Sequence, residues 1–382
     1  TYRSTHPDGY FLPGLLETIL STTLWAPITV ATIAKEYKRI LDKYAMLTVG
    51  NTYFVKFQGH DFSMRGMSSL ETATTCGAAH LLSFVGTDTI PAIQFLEDYY
   101  NADIEKELAG CSVPATEHAV MCMGSKEGEL ETISRLLDLY PEGILSIVLD
   151  TWDLTKVVKP SEDGTLMKLR DKILARNGKI VIRPDSTPEG VSIWDLLYGN
   201  KNKELSAREK EAYYPEFYNK GLMQCLYEIF GGTVNDKGFI ELNSKCGVIY
   251  GDGLGLHNIE TIMQTSMDSG FASTNLVCGF GSYGYQMVSR DTFGFAIKCT
   301  YGVVNGESRN IYKDPITDDG TKKSLKGMLS IVLDDSSGED EFKVHQECTS
   351  EEESQGLLQV IYEDGKFFNQ TTLSEIRNRL KS

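Results

Sequence analysis

An apolar run that ends in an arginine, a proline and an acid, Lys179-Ile180-Val181-Ile182-Arg183-Pro184-Asp185-Ser186, brings opposite charges to one point of the chain. Residues of β type followed at once by charge predict a strand whose C-terminal end carries chemistry. The pattern recurs. Residues 145–149 end in Asp150, residues 81–85 run into Gly86-Thr87-Asp88, and residues 248–250 run into Gly251-Asp252-Gly253. In a parallel α/β barrel all strand exits share one rim, so Asp88, Asp150, Asp185 and Asp252 would face a common pocket. Burying Arg183 beside Asp185 is costly unless a ligand or the fold offsets it. Ribose hydroxyls suit the acid; an aromatic carboxamide or a phosphate suits the guanidinium.

Other constellations add to this rim. In His60-Asp61-Phe62-Ser63-Met64-Arg65-Gly66 an aromatic face precedes a guanidinium by three residues, so a flat heteroaromatic could stack on Phe62 while Arg65 holds an anion. Phe near Arg is commonplace, and taken alone the pair carries little; Asp88, likewise, could simply cap a turn. Ser112-Val113-Pro114-Ala115-Thr116-Glu117-His118 leads from a strand exit into a helix, with Glu117 beside an imidazole able to carry a proton or attack phosphate. A lone histidine is more often structural. Gly279-Phe280-Gly281-Ser282-Tyr283-Gly284, followed by Arg290 about two helical turns along, predicts an anion site of backbone amides. Its spacing matches the dinucleotide fingerprint, but it comes last among the strands, without the downstream βαβ unit and ribose acid that fingerprint needs. Lys298, and Lys322, Lys323 and Lys326 in a loop of mixed charge, could reach further phosphates, a solvated loop being the default.

The elements that must position these groups alternate between short apolar runs and amphipathic helices from about residue 53 to 290, which predicts parallel βα units. Candidate strands at 55–58, 81–85, 112–113, 145–149, 179–182, 247–250 and 276–279 give about seven. Residues 14–46 read as two helices broken at Ala26-Pro27, with Ile33, Tyr37, Ile40, Leu41 and Tyr44 at helical spacing. Ser68-Ser69-Leu70-Glu71 has capping-box spacing, and Leu130, Ile133, Leu136 and Leu137 share a helix face. Antiparallel signals follow: 328–333 with 342–345 across Ser336-Ser337-Gly338, and 358–362 with Phe367 across Asp364-Gly365. Residues 200–215 read as an exposed charged insertion. The predicted architecture is an α/β protein, a (β/α) barrel of about seven strands with a second α+β domain containing antiparallel strands. Residues 1–50 form a helical part of that second domain, 51–290 the barrel, and 291–382 its antiparallel remainder.

The 382 residues suffice for one large or two ordinary domains, and a net charge of -16 argues against a nucleic-acid surface. Eight scattered cysteines without a close pair point to reduced thiols in a cytoplasmic protein rather than to zinc or redox motifs. No run reaches the roughly 18 apolar residues of a membrane span, and no leader peptide opens the chain. Thr1 stands where an initiator Met is expected, and the first dozen residues read as mid-domain loop.

Taken in order, His-Asp-Phe-x-x-Arg-Gly, Gly-Thr-Asp-Thr, Ser-Val-Pro-Ala-x-Glu-His, Asp-x-x-Asp, Arg-Pro-Asp-Ser, Gly-Asp-Gly and the glycine turn before Arg290 resemble the nicotinamide phosphoribosyltransferase family through nearly the whole chain. That family couples nicotinamide to phosphoribosyl pyrophosphate, giving nicotinamide mononucleotide and pyrophosphate. It requires magnesium, is boosted by ATP hydrolysis, and works as a homodimer with shared sites. The resemblance implies that Phe62 stacks under the pyridine, Asp88 accepts from the carboxamide NH2, and Arg183 meets the amide oxygen, with Ser146 also against the substrate. Arg65, Gly281, Ser282 and Arg290 would hold the 5′-phosphate, and Asp185 and Asp252 with Gly251 the ribose hydroxyls. Asp150 would be the acid nearest the magnesium and pyrophosphate. His118, with Glu117 beside it, would be the phosphorylated histidine, and Lys298 and Lys322 would line the diphosphate or ATP region. The chain departs from the pattern at Ser282 and Tyr283, where the family usually has glycines. It also lacks a family N-terminal segment on the order of a hundred residues, about one small domain, which carries a tyrosine that sandwiches the pyridine from the partner subunit.

The nearest rival is nicotinate phosphoribosyltransferase, and Asp88 separates the two. A carboxylate about 4 Å from an acid substrate costs several kcal/mol at an effective dielectric near 20, whereas an amide donates to it. A second rival is a truncated, non-catalytic barrel that binds pyridine nucleotides. A hydrolase using two rim acids leaves Arg65, Arg183 and Arg290 unexplained.

Overall fold

The computed structural model describes residues 8, 11–287, 300–313, 324–334 and 341–370. The chain divides into two compact units, Thr1–Ile297 with Asp314–Lys322 and Lys298–Lys313 with Lys323–Ser382. In chain order the first unit contains β1 (Gly59–Asp61), β2 (Gly86–Thr87), β3 (Glu142–Val148), β4 (Asn177–Arg183), β5 (Gly232–Val234), β6 (Ile240–Leu242), β7 (Cys246–Tyr250) and β8 (Leu276–Phe280). Six of these form one parallel sheet in the order β2-β1-β8-β7-β4-β3, while β5 and β6 make a separate hairpin. Parallel strands are covered on both faces and therefore run apolar, as β7 does, buried along its whole length. In β4 the period of two turns Ile180 and Ile182 into the core and puts Lys179, Val181 and Arg183 on the opposite face.

The sheet curls so that its two edges are reached by one segment. Cys111 bridges Gly86 of β2, and Ala115 bridges Ser146 of β3, both in parallel sense. The Ser146 N–H donates to the Pro114 carbonyl at 2.9 Å and the Thr116 N–H to the Ser146 carbonyl at 3.0 Å. Residues 112–113 are not a strand, contrary to the expectation, because Pro114 has no N–H with which to extend a ladder. Two more expected strands are displaced. Residues 55–57 form a 3-10 turn, so the strand starts only at Gly59. Residues 81–85 continue the helix end, with the Ser83 and Phe84 N–H groups returning to the His80 carbonyl. The strand there is just Gly86–Thr87. Glycine is needed at 59 because a Cβ would sit 2.6 Å from the Phe84 ring.

The expected helix break at Ala26-Pro27 does not occur. One helix spans Leu12–Thr48 with Pro27 inside it. An interior proline costs about 3 kcal/mol, and here the following half outweighs that cost by burying Val30, Ala34, Tyr37, Leu41, Tyr44 and Ala45 in the main core. The preceding half is exposed and apolar, including Leu15, Ile19, Leu24 and Trp25. By length and composition alone, the segment Gly14–Thr48 is apolar enough to cross a membrane. In helix Leu70–His80 the cap is Ser69, which accepts the Thr72 N–H, so no box closes on Glu71. Helix Glu129–Leu139 buries Ile133, Leu136 and Leu137 as its spacing predicts. The charged stretch 200–215 is only partly exposed. Glu209 is buried, closes a capping box with Ser206 and pairs with Lys203 at 2.7 Å.

The second unit is built of hairpins: β9 (Tyr301–Val304) with β10 (Glu307–Asn310), β11 (Ser330–Asp334) with β12 (Glu341–His345), and β13 (Tyr362–Glu363) with β14 (Lys366–Phe367), all antiparallel. The last two were expected, although the final one is a strand only at Tyr362–Glu363 and not along 358–361, and the Ser336-Ser337-Gly338 turn lies outside the described residues. The Asn305-Gly306 and Asp364-Gly365 turns have both φ angles positive, the mirror-image geometry that suits a right-twisted hairpin. The seven described cysteines are free, five of them buried.

Candidate active site

A cavity of about 350 Å³ lies within the curl of the sheet, lined by residues of β3, β4, β7 and β8 together with Phe62, Asp88 and Ser112. Its walls are largely apolar, which suits a flat, weakly polar ligand with a few directed hydrogen bonds. Phe62 follows β1 directly, its N–H donating to the Phe280 carbonyl at 3.0 Å. Its ring lies against Gly251 and Gly279, where a Cβ would stand 2.9 Å and 2.3 Å from ring carbons. These two glycines, at the ends of β7 and β8, make room for the ring.

Asp88, one residue beyond β2, has its Oδ1 held by His60 Nε2 at 2.8 Å and by Ser112 Oγ at 2.6 Å. Burial pushes its carboxyl upward, but the hydrogen bonds from His60 and Ser112 and the charge of Arg183 outweigh that, holding it below the usual aspartate range. Asp88 is therefore ionised at neutral pH. Arg183 ends β4 and is 8% exposed. Its Nη2 donates to the Thr116 carbonyl at 2.5 Å, while its buried Nε has no hydrogen-bond partner among the described residues. Ser146, on β3, lines the same cavity.

A second cluster centres on Asp150, which is 3% exposed. Its Oδ1 meets His118 Nε2 at 3.1 Å, while its Oδ2 accepts Ser186 Oγ at 2.5 Å and the Asp185 N–H at 3.0 Å. His118 Nδ1 stands 3.8 Å from Asp185 Oδ2. Thus the Arg-Pro-Asp-Ser turn after β4, Asp150 just past β3 and the histidine opening helix His118–Met123 form one unit. Asp252 and Gly251 follow β7, at the same C-terminal end of the sheet as Asp185 after the neighbouring parallel strand β4. Burial first and the Asp252 charge second push the Tyr250 hydroxyl far upward.

Arg65 lies on the 3-10 turn Met64–Gly66, its Nη1 3.9 Å from Glu117 Oε2, and both side chains are exposed. The Gly66 carbonyl accepts Gln286 Nε2 at 3.0 Å, which ties the Arg65 turn to the glycine turn. There Gly281 has open space where a Cβ would be, and Ser282 is buried. The helix that follows is a single turn, Tyr283–Gln286. Arg290, Lys298 and Lys322 lie outside the described residues.

Magnesium takes hard oxygen ligands, keeping several waters and substrate phosphates alongside one or two carboxylates. Asp150, Asp185 and Asp252 offer that donor chemistry, although among the described residues no group of three or more His, Cys, Asp or Glu forms a ready-made metal cage.

Sequence reasoning passed over His60, Ser112, Ser186 and Thr116 as site residues. His60 had a signal, since it shares a strand face with Phe62 two residues on. The Ser186 hydroxyl and the Thr116 carbonyl had none, because what they touch is distant in sequence.

The nicotinate phosphoribosyltransferase (NAPRTase) family matches residues 57–366. A nicotinamide phosphoribosyltransferase of Acinetobacter baylyi is 45% identical over 387 residues, covering 100% of this chain and 72% of its own length. One of Xanthomonas campestris is 32% identical over 99% of this chain and 74% of its own. Another, of Mycoplasma pneumoniae, is 38% identical over 84% of this chain, but the match spans only 64% of its own length.

Proposed function

The chain belongs to the nicotinate phosphoribosyltransferase family, and from that premise we propose that it transfers the phosphoribosyl group of phosphoribosyl pyrophosphate to nicotinamide, releasing pyrophosphate. The observation that carries the choice of nicotinamide is the ionised Asp88 beside Phe62 and Arg183 in one cavity. A carboxamide donates its NH2 to Asp88 and offers its oxygen to Arg183, whereas the carboxylate of nicotinate meets Asp88 as a like charge. Relatives named for nicotinamide support the same reading.

Phe62 fixes the plane of the pyridine, so that the ring nitrogen approaches the anomeric carbon in line with the departing pyrophosphate. As that bond lengthens the ribose gains oxocarbenium character. Asp185 and Asp252, with Gly251, hold the ribose hydroxyls and stabilise the positive charge electrostatically. Arg65, Gly281, Ser282 and Arg290 take the 5′-phosphate. Ser282 and Tyr283 depart from the family's glycines, and the buried Ser282 leaves Gly281 as the more open approach to the phosphate. Asp150 would hold magnesium together with the pyrophosphate, and the ion would supply charge neutralisation for the leaving group.

ATP enters through His118. A carboxylate only accepts, so the His118 Nε2 that meets Asp150 carries a proton, and the neutral tautomer of that ring offers Nδ1 as the nucleophile. Nδ1 attacks the terminal phosphorus of ATP, the bond to ADP breaks, and the proton stays on Nε2 against Asp150. The phosphohistidine would add charge beside the pyrophosphate, with Glu117 next to it in the chain and Lys298 and Lys322 as the cations that the family pattern assigns to the phosphates. The working unit is a homodimer. The bridges from the segment 111–116 to both sheet edges support reading it as the seventh stave of a barrel. The free described cysteines fit a reducing cytoplasm.

The test is product formation with phosphoribosyl pyrophosphate, magnesium and ATP, with nicotinamide in one reaction and nicotinate in the other. Mononucleotide from nicotinamide is expected; turnover of nicotinate alone moves the assignment to the acid.

A further inference from the structure

We propose that His60 and Ser112 are positioning residues that set the preference for amide over acid by clamping one oxygen of Asp88. This rests on the nicotinamide reading above and deepens it. Both donors converge on the same atom, Oδ1, at 2.8 Å and 2.6 Å, and Oδ2 has no protein partner among the described residues. A carboxylate only accepts, so His60 must carry its proton on Nε2.

The imidazole is itself held so that it presents only that nitrogen to Asp88. Its ring centroid lies 4.9 Å from that of Phe62, and its other nitrogen abuts Gly86, where a Cβ would approach to 2.8 Å. The His60 side chain is 12% exposed, but that of Asp88 is 46% exposed. An aspartate so open to water would sample several rotamers, and a ligand binding it would bear the cost of ordering it. Two donors on Oδ1 remove that freedom beforehand. They turn Oδ2 into a fixed acceptor and a fixed negative charge on the wall that also holds Phe62 and Arg183. An NH2 group placed there gains a hydrogen bond to a preoriented anion, while a carboxylate meets a charge that cannot swing aside.

The experiment compares kcat/KM for nicotinamide and for nicotinate in the wild type, Ser112→Ala, His60→Ala and His60→Gln, with direct calorimetric titration of each pyridine alongside. Ser112→Ala removes a single oxygen from an exposed residue, so it tests the clamp without threatening the fold. Losing one hydrogen bond to a charged group predicts a fall of about ten-fold in the nicotinamide-to-nicotinate ratio for Ser112→Ala and for His60→Ala. The KM for phosphoribosyl pyrophosphate should move less than about two-fold, on the same hydrogen-bond reasoning. His60→Gln, whose side-chain amide can donate from a similar reach, should recover most of the ratio. A purely structural role would instead lower stability and activity toward both pyridines together and leave the ratio alone. Variants that keep the wild-type ratio while the wild type binds nicotinamide overturn the clamp. A wild type that binds and turns over neither pyridine overturns the functional reading beneath it.

Discussion

Replacing Asp88 by asparagine keeps the shape of the side chain and one acceptor oxygen while removing its charge. Two unit charges about 4 Å apart interact by about 4 kcal/mol at an effective dielectric of 20. Asp88 is not that enclosed. Its side chain is 46% exposed, and His60, Ser112 and Arg183 already draw on its charge, so an effective dielectric near 40 and about 2 kcal/mol is the better figure. At 1.4 kcal/mol per decade this is roughly a thirty-fold change in preference. Asp88→Asn should therefore raise kcat/KM for nicotinate relative to nicotinamide by about that factor. Nicotinamide use should fall as well, because His60 and Ser112 keep the asparagine carbonyl as their acceptor and turn its NH2 toward the NH2 of the substrate. The assay is competition between the two pyridines at fixed phosphoribosyl pyrophosphate, repeated at low and high salt. Since the charge is partly open to water, the wild-type preference should weaken with salt and the variant's should not. A preference unchanged in Asp88→Asn would refute the like-charge argument.

His118→Ala should abolish stimulation by ATP while slow ATP-independent synthesis persists; undiminished coupling of ADP release to product would contradict the assigned role. Gly279→Ala places a Cβ 2.3 Å from the Phe62 ring, so the ring must shift. The KM for nicotinamide should rise several-fold while that for phosphoribosyl pyrophosphate holds, as steady-state kinetics would show. Glu129 is buried, its Oε1 has no hydrogen-bond partner among the described residues, and burial lifts its carboxyl from 4.5 to about 7. The unfolded chain releases this proton first, so stability present below pH 4.5 declines as pH rises toward 7, by roughly 3 kcal/mol. Denaturant unfolding should therefore show Glu129→Gln more stable than the wild type at pH 8 and little different at pH 4.5, and equal gaps at both would refute it.

Much of the candidate site was legible because its charged residues follow strand ends. The runs ending in Asp150, Arg183 and Tyr250 have the continuous apolar character of strands covered on both faces, and the charged residues after them are out of place unless a rim collects them. What local sequence could not settle was set by distant partners. Pro27 predicts a break, yet the helix continues because the core buries the half that follows. Residues 55–58 and 81–85 have strand-like composition, but Phe84 packs against the bare backbone of Gly59 and moves both strands downstream. The amino-acid sequence by itself determined which side chains can do the chemistry and the order of the elements that carry them, since residue type and periodicity are local properties. Only the tertiary structure decided that His60 and Ser112 share one oxygen of Asp88, and that Ser186 and His118 share Asp150. Hydrogen bonds between residues tens of positions apart depend on how the sheet curls, and short-range propensity does not encode that.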